Sequence, residues 1–287
     1  MGDLLSGLGE LGLGNLEDMN IFEKADKGAG DGKDRKENKP EVTEKDFLFD
    51  KGYTCPICDR EITAKTVKIG KAKLDGTDKD LRPKYIGVDP LKYDVIVCPG
   101  CGYAALTRYF KYVTSVQYKL IKEKICANFK PQNKDTRELY TYDDALERYK
   151  LALANAIVKQ AKASEKAYIC LKTGWLLRSR GENLDRSAPD YKQKLAANAA
   201  EERSFLKNAM DGFIAARQNE GFPMCGMDES TVDYLIAVLA AEFGQYDVAS
   251  KLIGSLLTTQ STNPRMKEKA RELKEDVLKQ MKEKGLV

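Results

Sequence analysis

Along the second half of the chain apolar residues recur every three or four positions, the period of helices that bury one face. Tyr142, Ala145, Leu146, Tyr149, Ala152, Leu153, Ala156 and Ile157 form one such stripe. Val232, Leu235, Ile236, Leu239, Ala240 and Phe243 form a second. After a short turn Val248, Ala249, Leu252, Ile253, Leu256 and Leu257 form a third. The stretch "TRYFKYVTSVQYKLIKEKICANF", beginning at residue 107, is expected as the first helix of the series. Asn263-Pro264 opens the last, as N-cap and first-turn proline. Its apolar stripe (Met266, Ala270, Leu273, Val277) is thin and its back heavily charged, which suits a helix that caps an array.

Residues 47–106 follow a different rule. Ile62, Ala64, Val67 and Ile69 suggest an amphipathic strand, and "YDVIV" (93–97) a second one. Pro83 and Pro90 break the segment between them into loops. Within the helical part, Gly174 and Gly181 stand seven apart, as do Ala237 and Gly244, while "YDDA" (142–145) and "YDVA" (246–249) both open helices. Small residues at the first position let helices approach, and glycine at the second is expected to break the chain before the return helix. This resembles the tetratricopeptide pattern, although successive return helices lie well over thirty-four residues apart. The reading is a degenerate tetratricopeptide-like array of about three helix pairs, with an ordinary irregular helical domain as the alternative.

Residues 1–46 carry twelve acidic and seven basic residues, a net of −5, which leaves +9 for the rest of a chain of total charge +4. Most of this segment has nothing to bury and reads as a disordered tail. Its residues 4–22, "LLSGLGELGLGNLEDMNIF", differ, with Leu4, Leu8, Leu11, Leu16, Met19 and Phe22 at roughly helical spacing among four glycines. They form a candidate docking segment, for a partner or for the protein's own body. Their acidic face argues against an anionic membrane. No apolar run is long enough to span a bilayer and no secretory signal opens the chain, so a cytoplasmic setting is expected.

The chain contains no histidine. That excludes Ser-His and Cys-His nucleophile pairs and imidazole metal ligands, and no phosphate-cradling glycine motif follows a strand. A protein without enzymatic activity is expected. Cysteine carries the candidate chemistry. Cys55 and Cys58 in "TCPIC" and Cys98 and Cys101 in "VCPGCGY" are two Cys-Pro-x-Cys turns with thirty-nine residues between them. Each turn lets two thiolates reach one ion, and four thiolates leave no position for water or substrate. One structural zinc per chain is the expectation, with iron as the alternative for four sulfurs. The long gap implies an inserted hairpin or loop, and closing it costs little. Gly102 supplies the backbone freedom that the second turn needs. Cys126, Cys170 and Cys225 are expected as small buried hydrophobes.

"CPIC", "DKDLRPKYIGVDPLKYDVIVCPGCGYAA" and the helical remainder resemble the uncharacterised bacterial family known as domain of unknown function 2225, over about residues 47–260. The resemblance implies a zinc-ribbon head, a tetratricopeptide-like tail and a bacterial cytoplasmic setting, and supplies no activity. Among the residues matching its pattern, Asp80, Arg82 and Tyr85 form a polar cluster that is either functional or orders the inserted loop.

The expected class is therefore α+β, mainly α. A disordered tail (1–46) precedes a zinc-ribbon-like head (47–106) and a tetratricopeptide-like helical domain with a C-terminal cap (107–287). The leading functional expectation is a protein-interaction scaffold whose helices bind a partner segment. The runner-up is nucleic-acid binding through the head, where residues 60–84 hold eight basic and four acidic residues, with Lys65, Lys68, Lys71 and Lys73 close together. No membrane partner is expected.

Overall fold

Three antiparallel hairpins precede seven α-helices in the computed structural model, which describes residues 42–286 apart from residue 134. The tail expected at 1–46, with its docking segment, lies outside the described residues up to position 41. Residues 42–46 belong to the folded body. Thr43 caps a short 3-10 turn, Glu44–Phe47, and the Glu44 carboxylate accepts from Tyr93 Oη at 2.9 Å and Lys92 Nζ at 2.7 Å.

β1 (Leu48–Thr54) and β2 (Glu61–Val67) pair so that Tyr53 meets Ile62. Ile62 and Ala64 point inward as their alternation predicts, whereas Val67 is half-buried and Ile69 lies past the strand, fully exposed. β3 (Lys73–Thr77) and β4 (Pro83–Ile86) form the inserted hairpin, with an irregularity at Leu74/Gly76. β5 (Val95–Val97) pairs with β6 (Ala104–Leu106). The first and third hairpins are closed by the two cysteine turns.

The third hairpin reads "VIV" and "AAL" because neither of its faces meets water. Ile96 and Ala105 join a cluster with Cys55, Cys98, Cys101, Tyr103, Phe110 and Ile121. Val95, Ala104 and Leu106 point the other way, into a second cluster built from the helices. A strand alternates its side chains between faces, so three residues suffice to serve two cores. Residues Val42–Val287 form one compact unit, and packing is continuous across residue 106, where sequence places the end of the head.

The stretch 107–129 is not one helix. Phe110 turns into the cysteine-bearing core, and Thr114 then caps α1 (Ser115–Ile121) through a reciprocal bond with Gln117. A single π-turn, Lys122–Cys126, follows. α2 (Tyr142–Val158) lies along the third hairpin, started by a Thr141–Asp144 capping box. α3 (Ala163–Glu182) and α4 (Tyr191–Asn219) are the long antiparallel pair. A Cβ on Gly174 would sit 2.5 Å from Leu206, and one on Gly212 would sit 2.8 Å from Ala167 Cβ, so both glycines set the approach of these helices. Gly181 is a third close approach, 2.8 Å from Asn198, and α3 runs through it rather than breaking. Gly244 does break the chain, with φ +74°, between α5 (Glu229–Glu242) and α6 (Tyr246–Thr258). α5 is buried at every position from Val232 to Ala241, and Asp233 among them is paired with Arg217. α7 (Pro264–Glu283) closes the helical part, with Asn263 accepting from Met266 N–H at 2.8 Å. The architecture is α+β, mainly α.

The shared hairpin sets a measurable expectation. Leu106 is fully buried in the helical cluster, so Leu106→Ala should cost about 3 kcal/mol. Melting followed by helical circular dichroism and by fluorescence of the single tryptophan, Trp175, should coincide, and a chelator should lower both midpoints. A helical transition that ignores the chelator would show that the two cores fold independently.

Candidate metal centre

The two cysteine turns match bond for bond. In the first, Asp59 N–H donates to the Cys55 carbonyl at 2.9 Å and Cys55 N–H to the Arg60 carbonyl at 3.0 Å. In the second, Gly102 N–H donates to the Cys98 carbonyl at 3.0 Å and Cys98 N–H to the Tyr103 carbonyl at 2.8 Å. Both turns need a left-handed residue after the second cysteine, at φ +57° for Asp59 and +76° for Gly102. Glycine takes that conformation freely, and aspartate is among the few side chains that tolerate it. A Cβ at Gly102 would also strike the Phe129 ring at 2.5 Å.

Cys55, Cys58, Cys98 and Cys101 converge so that their four sulfurs lie within 4.8 Å of one another. Cys55 and Cys101 are 3.6 Å apart, as are Cys58 and Cys98. These separations exceed a disulfide bond and approach the value of about 3.8 Å set by a tetrahedral ion at Zn–S distances. Amides of Ile57 and Cys58 point at Cys55, those of Gly100 and Cys101 at Cys98, and that of Tyr103 at Cys101. Such donors stabilise thiolates. Hydrogen bonds from Cys101 and then Cys55 drive the Cys98 thiol far below its ordinary range, whereas Cys101 is pushed well up by Cys55, Cys98 and burial. Four sulfurs held this close form a donor set that fits a metal ion.

Support for the centre comes from residues that cysteine spacing does not reveal. Asn155, on α2, donates to the Gly102 carbonyl at 3.0 Å while its own Oδ1 is buried without a partner. Its place in "LALANAIV", a polar residue inside an apolar stripe, is the signal that marks it. Tyr103 Oη donates to the Phe110 carbonyl at 3.1 Å. Cys126 also packs on this core, half-exposed, its thiol raised by burial while hydrogen bonding to Cys101 works the other way. Cys170 and Cys225 are buried as expected.

Asp80, Arg82 and Tyr85 do not converge on a common point. Asp80 accepts from Trp175 Nε1 at 2.9 Å and pairs with Arg178 at 2.9 Å, both on α3. Arg82, 1% exposed, donates to Asp78 at 2.6 Å, Ser179 at 3.0 Å and Glu182 at 2.5 Å. These contacts tie the inserted hairpin to α3. Tyr85 stands apart in β4, on the wall of a polar cavity of about 430 Å³ that Arg82, Lys92 and Tyr142 also line.

The model of an uncharacterised protein family conserved in bacteria (DUF2225) matches residues 48–277. The chain belongs to that family. No curated protein and no solved structure matches it. Among the described residues, no helix is long and apolar enough to cross a membrane.

Two measurements follow from this geometry. Elemental analysis of the purified protein should find about one tightly held ion per chain, lost on Cys55→Ser with Cys98→Ser. Its affinity should weaken as pH is lowered and strengthen as pH is raised, because binding must displace protons from the raised Cys55 and Cys101 thiols. A metal-free protein that folds normally at neutral pH would count against the site. Separately, Asp80→Ala should cost about 2 kcal/mol by leaving the buried Trp175 N–H without a partner, since Arg178 keeps Glu202 and Asp78, whereas Tyr85→Phe should change stability by less than about 0.5 kcal/mol.

Proposed function

We propose that the protein is a non-enzymatic scaffold of the bacterial cytoplasm, with a structural zinc ion in its head and a helical groove that receives a partner's peptide segment. Zinc suits a closed set of four sulfurs with no open position, and no histidine is available for acid–base or nucleophilic chemistry. Iron is the other ion that four thiolates accept, and visible absorption separates it from colourless zinc.

The observation that carries the peptide reading is a groove between α2, α3 and α4. Leu153, Ile157, Ala167, Cys170, Phe205 and Gly212 line a cavity of about 370 Å³ there. Ile157 belongs to an apolar stripe and is nonetheless 58% exposed. Gly212 and Ala167 keep the floor of the groove low, and Phe205 forms a side wall. A short segment with large apolar side chains would bury what these helices leave open.

A photo-crosslinking amino acid at Ile157 tests this in a bacterial lysate. It should capture a discrete protein, whereas the same group at Leu278 on α7, 42% exposed, should not. Phe205→Ala should lower the yield about tenfold, as loss of an aromatic anchor does. Equal labelling from both positions, or none from Ile157, would sink the proposal.

A further inference from the structure

Half of the basic run singled out by the sequence, residues 60–84, is engaged in the folded chain, whereas among the described residues Arg60, Lys68, Lys71 and Lys73 form no ion pair. Lys65 pairs with Asp50 at 2.8 Å, Lys79 with Asp276 at 2.5 Å, and Lys84 with Asp78 at 2.8 Å. Arg82 is consumed by its own buried partners. A stretch with fewer acids lies elsewhere. Residues 107–130 contain six cations, Arg108, Lys111, Lys119, Lys122, Lys124 and Lys130, against one acid, Glu123. All six are exposed, and among the described residues none forms an ion pair.

Aromatic surface accompanies these charges. Tyr112 is 75% exposed and Tyr118 40% exposed, and Lys122 Nζ lies 5.4 Å from the Tyr118 ring centre. At one end Arg108, Lys111 and Tyr112 border a cavity of about 660 Å³ together with Lys159 and Lys162. The two carboxylates in its lining are engaged. Glu165 holds Lys159 at 2.7 Å, and Glu220 accepts from Ser164 N–H and Oγ. The cavity is thus left with surplus positive charge and aromatic rims. The strip is also rigidly mounted, since Phe110 and Ile121 are both fully buried in the cysteine-bearing core.

We infer that this strip binds single-stranded nucleic acid, with phosphates on the unpaired cations and bases stacked on the exposed tyrosines. Unpaired cations beside open aromatic faces are what sequence-tolerant strand binding uses, and a duplex would keep its bases from the rings. An anionic membrane is the weaker partner. Of the aliphatic side chains of α1, Ile121 is spent in the core and only Val116 is largely exposed, too little apolar surface for a helix to insert. The inference does not depend on the peptide groove, which lies on α2–α4 and is scored by its own crosslinking.

Fluorescence anisotropy of the full chain with labelled oligo(dT) and oligo(U) tests it. Binding should weaken linearly in log salt, by about 0.7 per phosphate engaged. Lys111→Gln with Lys119→Gln and Lys124→Gln should reduce that slope by about 2 and the affinity by at least about tenfold near 100 mM salt. Tyr112→Ala should weaken binding by about tenfold with the slope unchanged. Lys71→Gln with Lys73→Gln, in the other basic run, should change it less than about twofold. Circular dichroism and metal content of each variant establish that folding is intact. Absence of single-strand binding at about 50 mM salt would overturn the inference. So would tighter binding to a matched duplex or to phosphatidylserine vesicles, or equal losses in the Lys71/Lys73 control.

Discussion

The third hairpin, three residues in each strand, stands between two cores and belongs to both. Its turn carries Cys98 and Cys101, so the ion that would bind there also fixes the strands that seal the helices. Hairpins this short have little stability of their own in water. This one is held by a sulfur cluster at its tip, by Ile96 and Ala105 on one face, and by Val95, Ala104 and Leu106 on the other. The α2 helix completes the arrangement through Arg148 on the Val95 carbonyl and Asn155 on the Gly102 carbonyl. A staple in such a place acts on the whole fold, although its ligands occupy only two turns.

The inserted hairpin is attached by another kind of interaction. β3 is exposed along its length and contributes nothing to either core, so polar contacts must hold the excursion down. Arg82 and Asp80 provide them by reaching Ser179, Glu182, Trp175 and Arg178, all on one helix. Buried ion pairs rarely add much net stability, but their geometry is directional, and breaking one is costly. The cluster thus reads as a device that sets where the hairpin lies, which in turn shapes the polar cavity beside Tyr85.

Spacing alone made the cysteine turns legible, since Cys-Pro-x-Cys states both the ligand and the reach. The stripes of α2, α5 and α6 were equally plain, because burial of one face leaves a period in the sequence. Residues 107–129 misled because Tyr109, Phe110 and Val113 imitate a helical stripe while they pack around a turn. Gly181 misled because a glycine that admits a neighbouring helix looks the same as one that ends its own. The partners of Asp80 and Arg82 lie nearly a hundred positions away, and no local pattern reports a contact at that range. Charge was the least legible property. Lys79 looks free until Asp276 arrives from α7, whereas the cations of 107–130 look ordinary until no partner arrives.

The cysteine-bearing core also differs from the helical one in how much chain it needs. Its buried members lie between Tyr53 and Ile121, with Ile125 and Cys126 packed at its edge, whereas α5, buried from Val232 to Ala241, needs α4 before it and α6 and α7 after it. A polypeptide is made from its N-terminus, and compact units form as their residues emerge. All four sulfurs are therefore complete while more than half of the chain remains to be synthesised. Metal supply would then bear on the protein at its birth, since an ion captured early would leave a finished surface onto which the later helices could condense.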